Sequence, residues 1–506
     1  MNRATPPDRL AGYEPAGFWD EAFSGRGEVR PQYAALLDAL AREDLEARRA
    51  ALVEEMEADG VVFAGADGVR PFIVDPVPRI IGAGEWMLLE RGIAQRVRAL
   101  NAFVADVYGD RRIVREGIVP ARVVDEAEYH EPLLAGVEVR NDAWATVAGL
   151  DLVRGADGRF TVLEDNLRTP SGVAYALAAR EKVAAALAGA AREGGEAVRE
   201  VGEAVREAGE AVQDRGGAAR EGERPFAPRP VDPLAFELLG EALCDAAPEG
   251  VDEPLVVLLS DGPGNSAWWE HRVLAERVGL PIVALADLER RGAELVACLE
   301  DGTKRVDVVY RRTDLDRLAV GDELTAVGEA LLEPWRKGRI GLANAFGTGV
   351  ADDKLAHAYV EAMVDFYLGE APVLQSVPTY DLGDPDILHG ALDRLEELVV
   401  KPRAGYGGEG VVICPHATDQ QVAEVREAVL AEPQRYIAQE TVALSRHPTV
   451  IDGRLEPRHV DLRPFAYSGA RVAVLPGGLT RVAFGAGAMV VNSSQNGGGK
   501  DTWVMA

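Results

Sequence analysis

A lysine followed by a glycine-rich loop is the first feature of this sequence that could do chemistry. After Lys401, four glycines occur within six residues: Gly405, Gly407, Gly408 and Gly410. Glycines let backbone N–H groups approach phosphate oxygens, and a lysine ammonium adds a point charge for them. The pattern therefore indicates either a hairpin that folds over a polyphosphate or a plain turn, and the spacing leaves both open.

A second candidate site consists of oxygen ligands on a predicted β-hairpin. Residues 144–153 and 159–163 have the pattern of two strands, with a turn at 156–158. In that hairpin Asp151 lies across from Glu164, and Asn166 follows the second strand. Two carboxylates and an amide oxygen suit Mg²⁺, which binds few carboxylates and nucleotide phosphates. A solvated strand end is the alternative interpretation.

A third candidate is an arginine on a late strand. In extended backbone Asp461, Arg463 and Phe465 share one face. An arginine on such a strand can stabilise the oxygens of a phosphoryl group in transfer, and a surface ion pair is equally compatible with the sequence. The segment that ends in Gln439 and Glu440 has the pattern of a strand whose backbone could pair with adenine.

The elements that must position these residues divide the chain by hydrophobic period. Helical spacing predicts helices over 33–56 and 87–108 in a mainly helical beginning. Alternating strands and helices then predict a parallel, Rossmann-like sheet. The predicted strands of this sheet are 255–259, 281–285 and 306–310, with a helix over 268–278. Strands 398–402 and 411–413 flank the glycine-rich loop. Later antiparallel strands are predicted at 436–440, 462–467, 471–475 and 480–484.

Composition excludes several classes of protein. The chain has 506 residues, 47% of them apolar, and its 83 acidic and 54 basic residues give a net charge of -29. General binders of nucleic acid or anionic membranes carry basic patches, so neither partner is expected. Three cysteines far apart argue against a disulfide scaffold or a thiolate zinc site. The opening residues lack the pattern of a signal peptide, so we expect a soluble cytoplasmic enzyme.

An internal repeat of seven residues occupies positions 195–215. Each repeat has a glycine and one firmly apolar residue, Val198, Val205 or Val212. A glycine costs about 1 kcal/mol of helix stability against alanine. We interpret the repeat as a solvated, partly helical insertion that carries no chemistry, with a coiled-coil contact as the alternative.

Taken together, these segments resemble ATP-grasp enzymes. Residues 401–411 resemble their nucleotide loop, Gln439-Glu440 their adenine hinge, 461–465 their arginine strand, and 149–151 with 164–166 their metal hairpin. The metal hairpin here precedes the loop instead of following it. That order resembles the circularly permuted ATP-grasp family, type 2, related to glutathionylspermidine synthetase. One departure is Asn496, which interrupts a glutamine–glycine segment of that family and leaves the role of 492–500 open.

The resemblance implies an ATP- and Mg²⁺-dependent carboxylate–amine ligase that forms an amide or peptide bond through an acyl phosphate. Its substrates would be a small-molecule or peptide carboxylate and an amine. The implied nucleotide-binding residues are Lys354, Lys401, Gly405, Gly407, Gly408, Gln439 and Glu440. The implied metal ligands are Asp151, Glu164 and Asn166, and the residues implied to face the phosphoryl group are Arg463, Arg481 and Arg168. The alternatives are a kinase-like phosphotransferase without an amine acceptor and a non-catalytic ATP-binding assembly partner.

The expected fold class is α/β: a circularly permuted ATP-grasp fold with a Rossmann-like pre-ATP-grasp domain and a mainly helical N-terminal region. The expected division of the chain is 1–130 for the helical region, 131–185 for the metal-binding piece, 186–233 for the insertion and linker, 234–350 for the Rossmann-like domain and 351–506 for the nucleotide-binding region.

Overall fold

The computed structural model describes residues 13–14, 17–25, 27–65, 68–193, 228–405, 410–488 and 497–505. The repeat at 195–215, Gly407, Gly408 and residues 492–496 lie outside the described residues, so the predictions made for them stay predictions.

The described chain alternates helices and strands. The α-helices are Pro31–Leu40, Leu45–Ala58, Ala83–Tyr108, Arg112–Arg115, Ala121–Asp125, Val173–Glu193, Leu234–Asp245, Trp268–Val278, Ala326–Arg336, Gly349–Asp352, Val360–Leu368, Pro385–Asp393 and Asp419–Ala431. Short 3-10 helices are Pro132–Leu134, Arg140–Asp142, Gly262–Gly264, Leu285–Asp287, Ala356–Tyr359, Leu395–Glu397, Cys414–His416 and Pro433–Arg435. The strands are Val62–Gly65, Gly68–Pro71, Val74–Ile81, Val147–Arg154, Phe160–Asn166, Val256–Ser260, Ile282–Val283, Leu288–Arg291, Glu294–Leu299, Gly302–Arg305, Val308–Arg312, Ala319–Val320, Glu323–Leu324, Gly341–Ala343, Thr379–Asp381, Leu398–Pro402, Val412–Ile413, Tyr436–Glu440, Arg446–Ile451, Arg454–His459, Phe465–Ser468, Val472–Val474, Thr480–Ala483 and Gly497–Val504.

The predicted hairpin is present and forms one side of a four-stranded antiparallel sheet, with strand Phe160–Asn166 at its edge. We call strands Val147–Arg154 and Phe160–Asn166 the acidic hairpin. Strand Phe465–Ser468 pairs with the first of them, so strands from the two ends of the sequence belong to the same sheet. Gly149 is required here, because a Cβ at this position would lie 2.8 Å from the Cβ of Pro170.

The N-terminal region contains a strand that helical periodicity did not predict. Val74–Ile81 is buried along its whole length and pairs in parallel with Gly497–Val504. It lies at the edge of its three-stranded sheet, where its prolines Pro76 and Pro78 are tolerated. The expectation of a mainly helical segment therefore misses a sheet that joins residues 74–81 to 497–504.

The predicted Rossmann-like sheet has four parallel strands. Val308–Arg312 and Val256–Ser260 lie at its centre, flanked by Gly341–Ala343 and Ile282–Val283. Helix Trp268–Val278 follows the strand that ends at Ser260, as the sequence predicted. The carboxyl ends of parallel strands are where ligands bind in open α/β sheets, and here they point to a large cavity.

A smaller antiparallel sheet carries the glycine-rich loop. Strand Tyr436–Glu440 lies between Thr379–Asp381 and Leu398–Pro402, and Val412–Ile413 pairs with Leu398–Pro402 beyond it. The sheet packs on its own small apolar cluster, which includes Val400, Val429 and Ala438. None of the helices in the described ranges has the length and hydropathy needed to span a bilayer.

Candidate active site

One cavity of about 1010 Å³ is lined by the acidic hairpin, the small antiparallel sheet and the carboxyl end of the parallel sheet. Every sequence-predicted site residue within the described ranges lines it: Asp151, Glu164, Asn166, Arg168, Lys354, Lys401, Gly405, Gln439, Glu440, Arg463 and Arg481. Its volume lies at the upper end of ligand pockets, which measure about 300–1,000 Å³, so it can hold more than one substrate.

The register of the acidic hairpin places its oxygen ligands together. Asp151 lies opposite Glu164, and Asn166 lies opposite Gly149. Because side chains alternate along a strand, Glu164 and Asn166 share one face. Asp165 between them makes different contacts, with Arg96 at 2.6 Å and with His357 at 2.7 Å.

Two arginines hold Asp151. Arg463 donates from Nε and Nη2 to the two oxygens of Asp151, at 2.6 and 2.8 Å. Arg481 lies 2.8 Å from the same carboxylate and also binds Asp461. Burial by itself would raise the pKa of Asp151, but the two guanidinium groups outweigh it and lower that pKa to about 2. Asp151 is therefore a stable anion between two cations.

The two lysines predicted to bind nucleotide both line the cavity. Lys401 Nζ is 3.6 Å from Glu164 Oε1, so a late strand meets the early hairpin. Burial lowers the pKa of Lys401, and Glu164 partly offsets that effect. Lys354 lies in the turn after helix Gly349–Asp352 and donates to the backbone oxygen of Gly405 at 2.7 Å.

The strand predicted as the adenine hinge has side chains that already bind protein groups. Gln439 donates to Thr379 Oγ1 at 3.0 Å, while Glu440 accepts from Tyr380 at 2.5 Å and from Arg394 at 2.9 Å. A contribution of this strand to nucleotide binding would accordingly come from its backbone.

Arg168 belongs to a different part of the cavity from Arg463 and Arg481. It donates to Asp352 at 3.2 Å and to Asp316 at 3.1 Å, and its guanidinium lies 3.9 Å from the ring centre of Tyr129. The structure thus separates the arginines grouped by the sequence: two contact Asp151, and Arg168 lies toward the parallel sheet.

A sequence model described as "Circularly permuted ATP-grasp type 2" matches residues 78–224 and 208–483. The chain belongs to this family. The match includes the acidic hairpin, the glycine-rich loop and the strand of Arg463, so the permuted order inferred from the motifs is confirmed.

Several curated proteins are similar to this chain over nearly all of it. A Frankia alni protein named "Putative glutamate--cysteine ligase 2-3" is 45% identical over 98% of this chain and 55% of its own length. A Synechocystis sp. protein named as uncharacterized is 39% identical over 98% of this chain and 99% of its own length. A Mycobacterium tuberculosis protein, also named as uncharacterized, is 40% identical over 96% and 84%. The chain spans about half the length of the Frankia relatives it matches.

The fold is also similar to a solved structure. A glutathione synthetase-like effector, GSS30, from Globodera pallida superposes with a TM-score of 0.54 over 91% of this chain and 98% of that chain. Its sequence identity is 12%, so this likeness concerns the α/β fold alone.

The residues of this ATP-grasp chain fit a magnesium ion. The amide nitrogen of Asn166 is buried and has no hydrogen-bond partner among the described residues, so the amide is not committed elsewhere. Asp151 accepts three hydrogen bonds from arginines, and a carboxylate offers about four acceptor sites. Across the described ranges no group of three or more His, Cys, Asp and Glu side chains forms a metal site. Two carboxylates with an amide remain the candidate set, as Mg²⁺ prefers.

Lys500 does not belong to this cavity. It is fully buried in strand Gly497–Val504, where its ammonium binds Asp75 and donates to Pro448 O at 3.0 Å. Burial lowers the pKa of Lys500 to about 8. The sequence left open whether residues 492–500 bind phosphate or an acyl substrate. Among the described members of this segment, Lys500 binds protein groups.

Other cavity residues carried no predicted role. Arg312, at the end of a parallel strand, donates to Ser171 Oγ at 2.6 Å and to Glu270 at 2.9 Å. Ser171 O also accepts from Arg463 at 3.2 Å, so this serine lies between the parallel sheet and the strand region of Arg463. Asp353 also lines the cavity and pairs with Arg403. Two features of the sequence could have indicated these residues. They are the pair Arg311-Arg312 at the end of a predicted strand and Asp353 directly before Lys354.

Proposed function

We propose that this ATP-grasp chain is an ATP- and Mg²⁺-dependent carboxylate–amine ligase that forms an amide or peptide bond. The observation that carries the proposal is the 3.6 Å approach of Lys401 to Glu164, which brings the predicted nucleotide loop and the predicted metal hairpin to one cavity. These elements are far apart in sequence. Considered alone, the loop could be a plain turn and the hairpin a solvated strand end.

In the proposed reaction, the triphosphate lies between Lys354 and Lys401. Asp151, Glu164 and Asn166 would hold magnesium, which supplies charge neutralisation for the phosphates. Phosphoryl transfer requires positioning and neutralisation more than covalent help from the protein. The cavity supports this role, because Lys401 lies near Glu164 of the acidic hairpin and Arg463 and Arg481 lie near Asp151.

The chemical steps conserve atoms and charge. A substrate carboxylate oxygen attacks the γ-phosphorus of ATP, the bond to the bridging oxygen breaks, and an acyl phosphate and ADP form. An amine nitrogen then attacks the acyl carbon, inorganic phosphate leaves, and the nitrogen releases a proton. Arg463 and Arg481 would face the phosphoryl group in the first step, since preorganised donors stabilise charge that develops in transfer.

We place the co-substrates at the carboxyl end of the parallel sheet. This end of the cavity includes Ser171, Asn265, His271, Arg312 and Thr313, and Ser171 contacts Arg463 directly. A carboxylate bound beside Ser171 would therefore lie next to the transferred phosphoryl group. The name of the Frankia alni relative describes joining of glutamate to cysteine, which is the same reaction class; the two substrates of this chain are left open.

A trapping experiment tests the proposal. The purified chain is incubated with ATP, Mg²⁺ and a pool of metabolite carboxylates, with hydroxylamine as a general amine acceptor. We expect stoichiometric ADP, inorganic phosphate and a hydroxamate detected by mass spectrometry, with none from a Glu164→Gln variant. A stable phosphorylated product without release of phosphate would instead identify a kinase-like enzyme.

A further inference from the structure

A buried ion pair joins the two segments that carry the candidate nucleotide lysines. Arg403 follows Lys401 by two residues, and its Nε donates to both oxygens of Asp353, at 2.9 and 2.8 Å. Asp353 directly precedes Lys354. The two side chains are 6% and 4% exposed, so the pair is shielded from water. Neither residue has a role in the chemistry described above.

A second contact joins the same two segments. Lys354 Nζ donates to Gly405 O, two residues beyond Arg403. The turn at 353–354 and the strand end at 403–405 are therefore held at two points. Two contacts fix both the separation and the relative orientation of these segments, which one contact cannot do.

Each partner of the ion pair is itself fixed. Arg403 donates through Nη1 to Arg122 O at 3.1 Å and through Nη2 to Val123 O, and its backbone nitrogen donates to Arg435 O at 2.8 Å. Asp353 accepts from the backbone nitrogen of Leu355 at 2.8 Å. Each of the three guanidinium nitrogens thus donates a hydrogen bond within the protein, so the orientation of the Arg403 side chain is fixed.

We propose that Asp353 and Arg403 are positioning residues that set the distance between Lys354 and Lys401 and thereby the affinity for the phosphates of ATP. This inference rests on the proposed function. Lysine acts as a point charge on a flexible stem, so the placement of its backbone decides where that charge lies. A displacement of about 1 Å at a distant support can cost about a hundredfold in rate.

The test is nucleotide affinity in an Asp353→Asn variant, measured by calorimetry with a non-hydrolysable ATP analogue and Mg²⁺. Asparagine keeps the shape but loses the charge and one acceptor oxygen. Because the weakened pair would no longer hold Lys354 at a fixed distance from Lys401, we expect about tenfold or greater loss of affinity. In turnover assays KM for ATP should rise by a similar factor, while KM for the carboxylate stays within about twofold.

Two further variants separate positioning from stability. Asp501→Asn removes a buried partner of Arg180 outside the cavity lining, and it should lower the melting temperature without changing nucleotide affinity. In a double-mutant cycle, Asp353→Asn with Arg403→Gln should weaken binding no more than either single change, because the pair acts as a unit.

The outcomes are distinguishable. Unchanged affinity in Asp353→Asn, when the unmodified chain binds the analogue, would overturn this inference and leave the proposed function standing. Additive losses in the double-mutant cycle would also overturn it. Failure of the unmodified chain to bind the analogue would overturn both the inference and the proposed function.

Discussion

The two ends of the cavity hold their cations in different ways. At the nucleotide end, Lys354 contacts a backbone oxygen and Lys401 lies 3.6 Å from its carboxylate. At the parallel-sheet end, Arg168 and Arg312 are hydrogen-bonded to carboxylates at 2.9–3.2 Å. Cations that remain weakly neutralised can attract a triphosphate, whereas neutralised cations shape the wall. We infer that the nucleotide binds at the first end, and that the neutralised arginines of the other end shape the wall beside the co-substrates.

The arginines of Asp151 are intermediate between these two kinds of cation. Arg463 is bidentate to Asp151, yet it also lines the cavity beside Ser171. Its position links the acidic hairpin to the end proposed for the co-substrates. We therefore expect its loss to affect the rate of phosphoryl transfer more than nucleotide binding.

The largest effect is expected at the nucleotide end. Lys401→Ala and Glu164→Gln should each reduce turnover to background, because they remove the proposed phosphate contact and a proposed metal ligand. The melting temperature should change little, since the 3.6 Å pair contributes weakly to stability. Coupled measurement of ADP release and thermal denaturation checks both expectations.

A matched control for the lysine is Lys337→Ala, which changes an exposed lysine at the end of helix Ala326–Arg336. Its turnover should equal that of the unmodified chain. Full activity in purified Glu164→Gln would contradict the metal assignment.

A smaller loss is expected for Arg463→Lys. Lysine keeps the charge but cannot make the bidentate contact to Asp151. We expect kcat to fall roughly ten- to a hundredfold, less than the about hundred- to thousandfold cost of removing a whole preorganised donor, while KM for ATP changes less than about threefold. Steady-state kinetics would contradict this role if KM for ATP rose and kcat did not change.

At the parallel-sheet end the main effect should be on stability. Arg312→Gln leaves the fully buried carboxylate of Glu270 with its backbone donors from Gly172 and Ala174 but without its charge partner. Breaking a buried pair in this way costs about 3–5 kcal/mol, so denaturant unfolding should show that loss. Affinity for the ATP analogue should stay within about threefold at temperatures where the variant is folded.

The control for the stability loss in Arg312→Gln is the exposed ion pair between Arg435 and Glu432. Arg435→Gln should cost less than about 1 kcal/mol. If Arg312→Gln unfolded no more easily than Arg435→Gln but lost nucleotide affinity, the contrast between the two ends would be wrong.

The smallest effect is expected from deletion of residues 195–215. The repeat has the composition of a solvated insertion, so turnover per folded molecule should remain nearly unchanged. Loss of all activity in a deletion variant that retains its melting temperature would show that this segment contributes to the site.

Local patterns were predictable from the sequence. The acidic hairpin follows from two adjacent strands and a turn, and its register places Asp151 opposite Glu164 as expected. The helix expected over 33–56 is instead two helices, because Asp44 caps the second by accepting from Ala47 N at 3.1 Å. A cap residue inside an apolar pattern was a readable signal for that break.

Pairings between distant segments were not predictable in the same way. The parallel pairing of Val74–Ile81 with Gly497–Val504 depends on tertiary packing. Pro76 and Pro78 argued against a strand in this segment, because proline is rare within strands. The partners of Arg312 and Arg403 are set by how separate elements meet, which spacing cannot encode. The division of the chain at residues 130, 185, 233 and 350 and the roles given to individual site residues stay predictions.

The meeting of the early hairpin and the late lysine around one nucleotide is tested most directly by a crystal structure with a non-hydrolysable ATP analogue and Mg²⁺. We expect its triphosphate between Lys354 and Lys401, with Mg²⁺ between the phosphates and the carboxylates of Asp151 and Glu164 and the adenine beside strand Tyr436–Glu440. An analogue bound outside this cavity, or one whose triphosphate contacts neither Lys401 nor the hairpin, would contradict the account.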